Sequence, residues 1–397
     1  MKKSLIALAV AGLFAAPAAM AEVTISGAIN VGIQVGKSSA GSVAGSQSLT
    51  TNQLGANYSH MDIESVDDIG NGNKVIFHYQ FDISGTSTAQ VPLAGGAVGN
   101  RNSFLGVAGG WGAFKMGTNE NVYERLQYQS DPLDGAVGVG GNLNILATPG
   151  AGAIFQVGQG KCPTNGGCVD FYRRAEQTIW YESPNFSGFS FEVDYSLSAF
   201  KTSGPNATDP KIVSIGGKFQ PEGAPFYVDL GFEQHKDMFG LDAITGATPT
   251  LTATNGNNST DTAMEIGGGY MIGDLGLHLR YERLKYKEDG VTTTAVSEYK
   301  RNAGWFGLKY NLPSGYVGAE LGIAQKGKTN VGGVDKTGAK MFGVGYFHNL
   351  SKQSQLQFIY ARTDNDDNAT YAQAGAPNGA FPGAKHDVGT VAIKHTF

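Results

Sequence analysis

The sequence is poor in the features that mark most soluble multidomain proteins and helical membrane proteins. It has two cysteines, few stretches of helical periodicity, and no Pro-rich, Ser/Gly-rich or charged tract that would separate two domains. Beyond the N-terminus, no apolar run approaches the roughly 20 residues that a membrane-spanning helix needs, which excludes a helical membrane protein. Basic residues (29) do not outnumber acidic ones (34), so no nucleic-acid partner is expected.

The N-terminus carries the longest apolar segment. Residues 1–21, MKKSLIALAVAGLFAAPAAMA, combine two lysines, an apolar stretch and a final Ala-Met-Ala. This is the layout of a secretory signal peptide with small residues at its cleavage site. Pro17 and the shortness of the apolar stretch argue against a membrane-spanning helix. We therefore expect residues 1–21 to be removed and residues 22–397 to form a single domain.

What the sequence has in abundance is glycine (58), phenylalanine (21) and tyrosine (17). Many short segments alternate between apolar and polar residues, among them KVIFHYQFDI (74–83), FSFEVDYSL (189–197) and GLHLRYER (276–283). A period of two predicts strands with one apolar and one polar face. A soluble β-sandwich shows the same period, so the alternation alone leaves both architectures open.

The connections between these segments decide between the two architectures. Short turns such as PEGAP (221–225) and PSG (313–315) alternate with long polar loops at 86–100, 237–260 and 363–384. Short connections at one end and long loops at the other are typical of an outer-membrane barrel, and the segments number about 16, an even number. The sequence therefore predicts an all-β fold, a transmembrane antiparallel β-barrel. The barrel must close because lipid offers no partner for an open strand edge.

The C-terminus follows a strand pattern where most chains have a polar tail. The last residues, VAIKHTF, alternate up to Phe397. A strand at the terminus would pair with the first strand to close the barrel. An aromatic residue at the membrane boundary fits the girdle of such barrels.

Four blocks, in this order, resemble the trimeric general diffusion porins of Gram-negative outer membranes. They are residues 54–82, 101–117, 175–191, and the closing hairpin at 346–361 with 388–397. The resemblance implies a multi-pass outer-membrane homotrimer, surrounded by outer-membrane lipid, that lets small hydrophilic solutes and ions diffuse passively. It also implies that Phe397 belongs to a terminal signal read by the outer-membrane assembly machinery. No cofactor and no metal are expected.

The resemblance further implies a third long loop that folds into the barrel and narrows it. Here that loop would begin after Gly117 and carry four acids: Glu120, Glu124, Asp131 and Asp134. The opposing basic positions of the family correspond to Gln53, Arg101 and Arg174, and Gln53 departs from the arginine pattern. Lys115 either joins this basic side or lies elsewhere on the lumen wall. Opposed charges across a narrow lumen create a transverse field that favours small polar solutes. In the alternative interpretation, the four acids are ordinary solvated loop residues.

The two cysteines, Cys162 and Cys168, lie six residues apart in KCPTNGGCVD. An even number in a secreted chain predicts a disulfide between them. They fall in a stretch, 149–171, that looks like an insertion relative to the constriction loop of the family.

Three other functions stay open at this point. They are a substrate-specific uptake channel, an outer-membrane barrel enzyme, and a structural barrel plugged by its own loops. The sequence contains no G-x-S-x-G motif and its seven histidines are scattered, so no catalytic residues are expected.

Overall fold

A computed structural model describes most of the chain after the expected leader. It covers residues 22–42, 44–56, 58–83, 100–133, 138–150, 155–156, 170–197, 201, 203, 209–238, 240–241, 258–289, 296–330, 335–377 and 382–397. The leader (1–21), Asp134, Cys162 and Cys168 lie outside these ranges, and so does the predicted disulfide. No helix in the described ranges is long and apolar enough to cross a membrane.

Strands dominate the described residues. In chain order they are β1 (Glu22–Ser38), β2 (Leu49–Ala56), β3 (His60–Gly70), β4 (Asn73–Asp82), β5 (Asn100–Gly109), β6 (Gly112–Glu120), β7 (Phe155–Gln156), β8 (Arg174–Glu182), β9 (Phe189–Ser196), β10 (Lys211–Phe219), β11 (Phe226–Lys236), β12 (Gly240–Leu241), β13 (Thr260–Ile272), β14 (Leu275–Lys287), β15 (Glu298–Leu312), β16 (Gly315–Ala324), β17 (Lys328–Thr329), β18 (Ala339–Asn349), β19 (Ser354–Asn365) and β20 (Lys385–Thr396). A short helix, α1 (Val122–Tyr128), and a 3-10 turn (Asn142–Asn144) follow β6.

The strands form a closed antiparallel barrel of 16 wall strands, which confirms the predicted fold class. Strands β2 and β3 act as one interrupted wall strand, because β2 pairs with the second half of β1 and β3 with its first half. Strand β17 is a two-residue strand that pairs with the beginning of β15 and is not counted as a wall strand. Strands β7 and β12 pair with each other in a separate two-stranded sheet. The ring closes where β20 pairs with β1, in a register that sets Ile393 opposite Val31.

The two ends of the barrel differ in their connections. One end has tight turns, such as Gly273–Asp274 between β13 and β14, where Gly273 takes a left-handed φ of 59° that favours glycine. The other end has long loops. We call residues 121–173 the third loop and residues 366–384 the last loop. The third loop starts at Asn121 and not after Gly117, because the end of β6 still pairs with β8 through Glu120 and Arg174.

Alternate side chains of the wall strands face outward and inward. On β14, Leu279 and Tyr281 are 66% and 49% exposed on the outer face, whereas Arg280 and Glu282 are buried on the inner face. The outer face is therefore apolar, as a lipid-facing wall requires, and the charged residues point into the lumen.

The hydrophobic core lies inside the barrel, against the third loop. In one cluster, Tyr123, Leu143 and Phe171 of this loop pack on wall residues that include Leu284 and Tyr286. A second cluster joins Ile145 and Leu146 of the third loop to the wall of β15–β18 and to Tyr371 of the last loop. The third loop is thus folded into the barrel, as predicted from the sequence.

Candidate pore constriction

A buried carboxylate, that of Glu120 at the end of β6, brings together two of the predicted arginines. Its Oε1 pairs with Arg174 of β8 directly across the strands, and with Nη2 of Arg101 of β5 at 3.5 Å. Its Oε2 accepts a hydrogen bond of 2.8 Å from the hydroxyl of Tyr128, at the end of α1. Glu120 therefore links the arginine wall to the third loop.

Arg101 is held in place by four partners. Its Nε donates to Gln80 at 3.0 Å and its Nη1 to Asp82 at 2.6 Å, in addition to the Glu120 contact. The guanidinium also lies over the ring of Tyr58, 4.5 Å from its centre. A planar guanidinium that is hydrogen-bonded and stacked keeps its orientation, so its charge is fixed relative to the lumen.

Glu124, in the first turn of α1, is buried close to this cluster and forms an ion pair with neither Arg101 nor Arg174. Burial and the nearby charge of Glu120 raise the pKa of the Glu124 carboxyl to about 8, although Arg174 partly opposes the shift. At neutral pH the side chain is therefore mostly protonated and adds little negative charge to the lumen.

The remaining predicted residues do not join the Glu120 cluster. Asp131 accepts backbone hydrogen bonds from Leu133 (2.8 Å) and Asn142 (3.2 Å), so it shapes the third loop itself. Lys115 pairs with Glu182 at 2.6 Å, and its ammonium lies 4.7 Å from the ring centre of Phe104. Exposed Gln53 faces the lumen from β2, where it donates to Gln34 at 3.2 Å. Asp134 lies outside the described residues.

Sequence reasoning missed the residue that anchors the third loop, Glu282 of β14. Its Oε2 accepts hydrogen bonds from the Tyr123 hydroxyl (2.8 Å), the Gln127 amide (2.7 Å) and the Ala147 backbone (2.7 Å). Its Oε1 lies 2.8 Å from Arg301 of β15. The sequence shows only that Glu282 lies on the polar face of its strand, as many other side chains do.

Two further wall groups tie α1 to the barrel. Arg280 of β14 pairs with Asp229 (2.8 Å) and Glu265 (2.9 Å) and donates to the backbone oxygen of Leu126 at 2.6 Å. Asp194 of β9 accepts the backbone N–H of Val122 at 2.8 Å. The helix is thus held at both ends against the wall of β9–β14.

An open cavity of about 450 Å³ lies beside α1 on its side facing the short turns. Charged side chains of both signs line it: Lys115, Arg125, Glu182, Glu192 and Lys218. Fixed charges around a water-filled space with low-dielectric walls focus the field on any solute that passes. No side chain here needs unusual reactivity, since the effect comes from the placement of the charges.

A closed barrel with an apolar exterior, a charged lumen and an inward-folded loop defines a channel of the outer membrane. The model of the Gram-negative porin family matches residues 6–368, so this chain belongs to that family. The resemblance drawn from the sequence blocks is thereby confirmed. The chain is a multi-pass outer-membrane protein and a channel for passive diffusion.

One curated relative and two solved structures are similar to this chain over nearly its whole length. Outer membrane porin protein 32 of Delftia acidovorans is 28% identical over 400 residues, covering 100% of both chains. The solved structure of an anion-selective porin from Comamonas acidovorans has a TM-score of 0.68 at 21% identity, covering 95% of this chain and 100% of the other. The trimer form of OmpT of Vibrio cholerae has a TM-score of 0.59 at 12% identity, with 95% and 99% coverage.

Proposed function

We propose that Arg101, Arg174 and Glu120 form the charge-selecting constriction of a channel for small hydrophilic solutes and ions. The observation that carries this proposal is the convergence of both guanidinium groups on the buried Glu120 carboxylate, where the third loop meets the wall. Asp82 adds a second carboxylate next to Arg101. Two positive and two negative charges nearly cancel, so the ion preference is weak.

The departure at Gln53 supports a weak preference. In the resembling family an arginine often stands at this position, and the porin from Comamonas acidovorans is described as anion-selective. Here Gln53 is neutral and hydrogen-bonded to another neutral side chain, Gln34. The chain therefore lacks one positive charge that would favour anions.

Reversal potentials in a KCl gradient test this assignment. The double variant Arg101→Gln/Arg174→Gln shifts the potential toward cation preference, and Glu120→Gln shifts it toward anion preference. The control is Lys340→Gln, which changes an exposed side chain on the lipid-facing side of β18. It leaves the reversal potential unchanged. Shifts of the same sign in the two lumen variants, or no shift in either, would remove these residues from the constriction.

We also propose that the protein acts without enzymatic activity. Among the described residues, two serine–histidine pairs lie within hydrogen-bonding distance: Ser38–His386 at 2.8 Å, which is buried, and Ser354–His395 at 2.9 Å, which is exposed. Within the same residues neither histidine forms an ion pair or hydrogen bond with a carboxylate, so both pairs lack the acid that orients a catalytic base. A lipid and peptide hydrolysis assay on the refolded barrel tests this, and turnover above background would contradict it.

Three features of the mature protein complete the proposal. Residues 1–21 are removed as a leader, Cys162 and Cys168 form a disulfide, and the chain assembles as a homotrimer in outer-membrane lipid. The trimer form of the similarly folded Vibrio cholerae protein supports the last point. The intact mass tests the first two features: it should correspond to a chain that begins at Glu22, and without reductant it should be lower by two hydrogens. Light scattering in detergent tests the third and should give three chains per particle.

A further inference from the structure

The last loop also folds into the barrel and contacts the third loop. The backbone N–H of Thr370 donates to the carbonyl of Gly150 at 2.8 Å. The N–H of Ala374 donates to Oδ1 of Asn144 at 3.2 Å, and the Tyr371 hydroxyl lies 3.3 Å from the carbonyl of Pro149. Three hydrogen bonds thus join the two loops inside the lumen.

The wall supports the same segment of the last loop from behind. The Asn365 side chain of β19 donates to the carbonyl of Tyr371 at 2.8 Å and accepts its N–H at 2.9 Å. Gln373 accepts a hydrogen bond of 3.1 Å from Thr363. The last loop also lies close to β1, which pairs with β20 to close the barrel: a Cβ added at Gly36 of β1 would overlap the carbonyl oxygen of Gly375. The segment is therefore seated on the β19–β20–β1 wall.

Besides these hydrogen bonds, the contact between the two loops is apolar, and no charged side chain of either loop takes part in it. Tyr371 packs with Ile145 and Leu146 of the third loop and with Trp305 and Met341 of the wall, all of them buried. The stretch 369–377 of the last loop, ATYAQAGAP, contains no charged residue. This segment occupies lumen volume without contributing to the field across the lumen.

We propose that the last loop is a second constricting element, which sets the cross-section of the pore but not its charge preference. It takes up part of the lumen beside the β19–β20–β1 wall, so solutes are confined to the side that carries the charged cluster. This division of roles rests on the proposed charge constriction at Glu120. Size selection would belong to residues 369–377, and charge selection to Arg101, Arg174 and Glu120.

The last loop can be shortened without releasing the third loop. The third loop stays tied to the wall by Glu282, which accepts the Ala147 N–H, and by Arg301, whose Nε donates to the carbonyl of Thr148 at 2.9 Å. The ends of the segment 370–382 meet, since the N–H of Gly383 donates to the carbonyl of Ala369 at 2.9 Å. Two glycines in place of residues 370–382 are therefore long enough to connect Ala369 to Gly383.

Single-channel recording of this deletion variant tests the proposal. Because the conductance of a water-filled pore rises with its cross-section, we expect an increase of about twofold, with a larger size limit for neutral polyethylene glycols. The reversal potential in a KCl gradient stays at the wild-type value. The control is Asn368→Ala in the same loop, whose side chain donates to the carbonyl of Asp335 at 2.8 Å, away from the loop contact; it keeps wild-type conductance.

The results that would contradict this proposal differ from those that would contradict the proposed charge constriction. An assembled deletion variant with unchanged conductance, or with a shifted reversal potential, overturns the division of roles while leaving the channel function intact. Electrically silent wild-type protein would instead overturn the proposed constriction altogether. If the deletion variant fails to assemble, Tyr371→Ala replaces it, with a smaller rise in conductance expected and an unchanged value overturning the proposal.

Discussion

Glu282 and Arg301, on neighbouring wall strands, form a fully buried ion pair inside the barrel, with Oε1 and Nη1 2.8 Å apart. Both residues also bind the third loop, Glu282 through Tyr123, Gln127 and Ala147, and Arg301 through the carbonyls of Ile145 and Thr148. One charge pair thus fixes the loop that narrows the lumen, from positions more than a hundred residues away in sequence.

Glu282→Gln should loosen the third loop. The change leaves Arg301 buried without its counter-charge, and breaking one side of a buried ion pair costs roughly 3–5 kcal/mol. We expect a lower unfolding temperature in detergent and noisier open-channel current. The matched control is Lys285→Gln on the same strand, which breaks a partly exposed pair with Glu298 (2.9 Å) and should cost at most about 1 kcal/mol. Equal losses in both variants would argue against an anchoring role.

Phe358→Arg should impair assembly of the barrel. Phe358 is 42% exposed on the outer face of β19, and an arginine there costs roughly 2–4 kcal/mol near the bilayer midplane. Gln53→Arg adds the same side chain on the lumen side of β2. It should assemble normally and move the reversal potential toward anions. The heat-dependent gel shift of folded barrel measures assembly, and a similar defect in both variants would mean that the inside and outside faces are misassigned.

Raising the pH should make the channel more cation-preferring through Glu124. Its raised pKa of about 8 keeps the carboxyl protonated at pH 7, and ionisation above pH 8 adds a negative charge close to Glu120. Because the folded-state pKa lies above the unfolded value, the stabilising contribution of this group is complete at low pH and is lost as pH rises through about 8. Reversal potentials at pH 7 and 9 should differ for wild type but not for Glu124→Gln. An equal shift in the variant would assign the titration to another group.

Phe397→Ala should separate barrel closure from recognition during assembly. The backbone of Phe397 exchanges two hydrogen bonds with Gly27, of 3.0 and 3.1 Å, and alanine preserves both. Refolded Phe397→Ala should therefore unfold at nearly the wild-type temperature, while its yield in the outer membrane of cells falls. Unchanged cellular yield would contradict the role of Phe397 as an assembly signal.

Alternation along the chain, together with short turns at one end and long loops at the other, was enough to predict the barrel. The segments read from the sequence at 74–83 and 189–197 correspond within a residue to β4 and β9, because a wall between lipid and water imposes two different faces. The segment at 276–283 was too short: β14 runs from Leu275 to Lys287. Beyond Glu282 the polarity of the two faces reverses, because Leu284 and Tyr286 face inward and pack against the third loop while Lys285 lies on the outer side.

The constriction was harder to predict, because the period of a strand gives the face of a side chain but not its partner. Arg101 and Arg174 could be placed on the lumen wall, and the structure sets both beside Glu120. Whether Glu124 and Asp131 would face them depended on the path of the third loop. That path is fixed by distant wall residues such as Glu282, which no local pattern connects to the loop.

Single-channel recording of the purified mature protein in a planar bilayer tests most directly whether this barrel encloses a water-filled, weakly selective pore. In a KCl gradient we expect stepwise openings, a conductance that follows the conductivity of the bulk salt, and a reversal potential close to zero. Bilayers that stay electrically silent with folded protein inserted would contradict it.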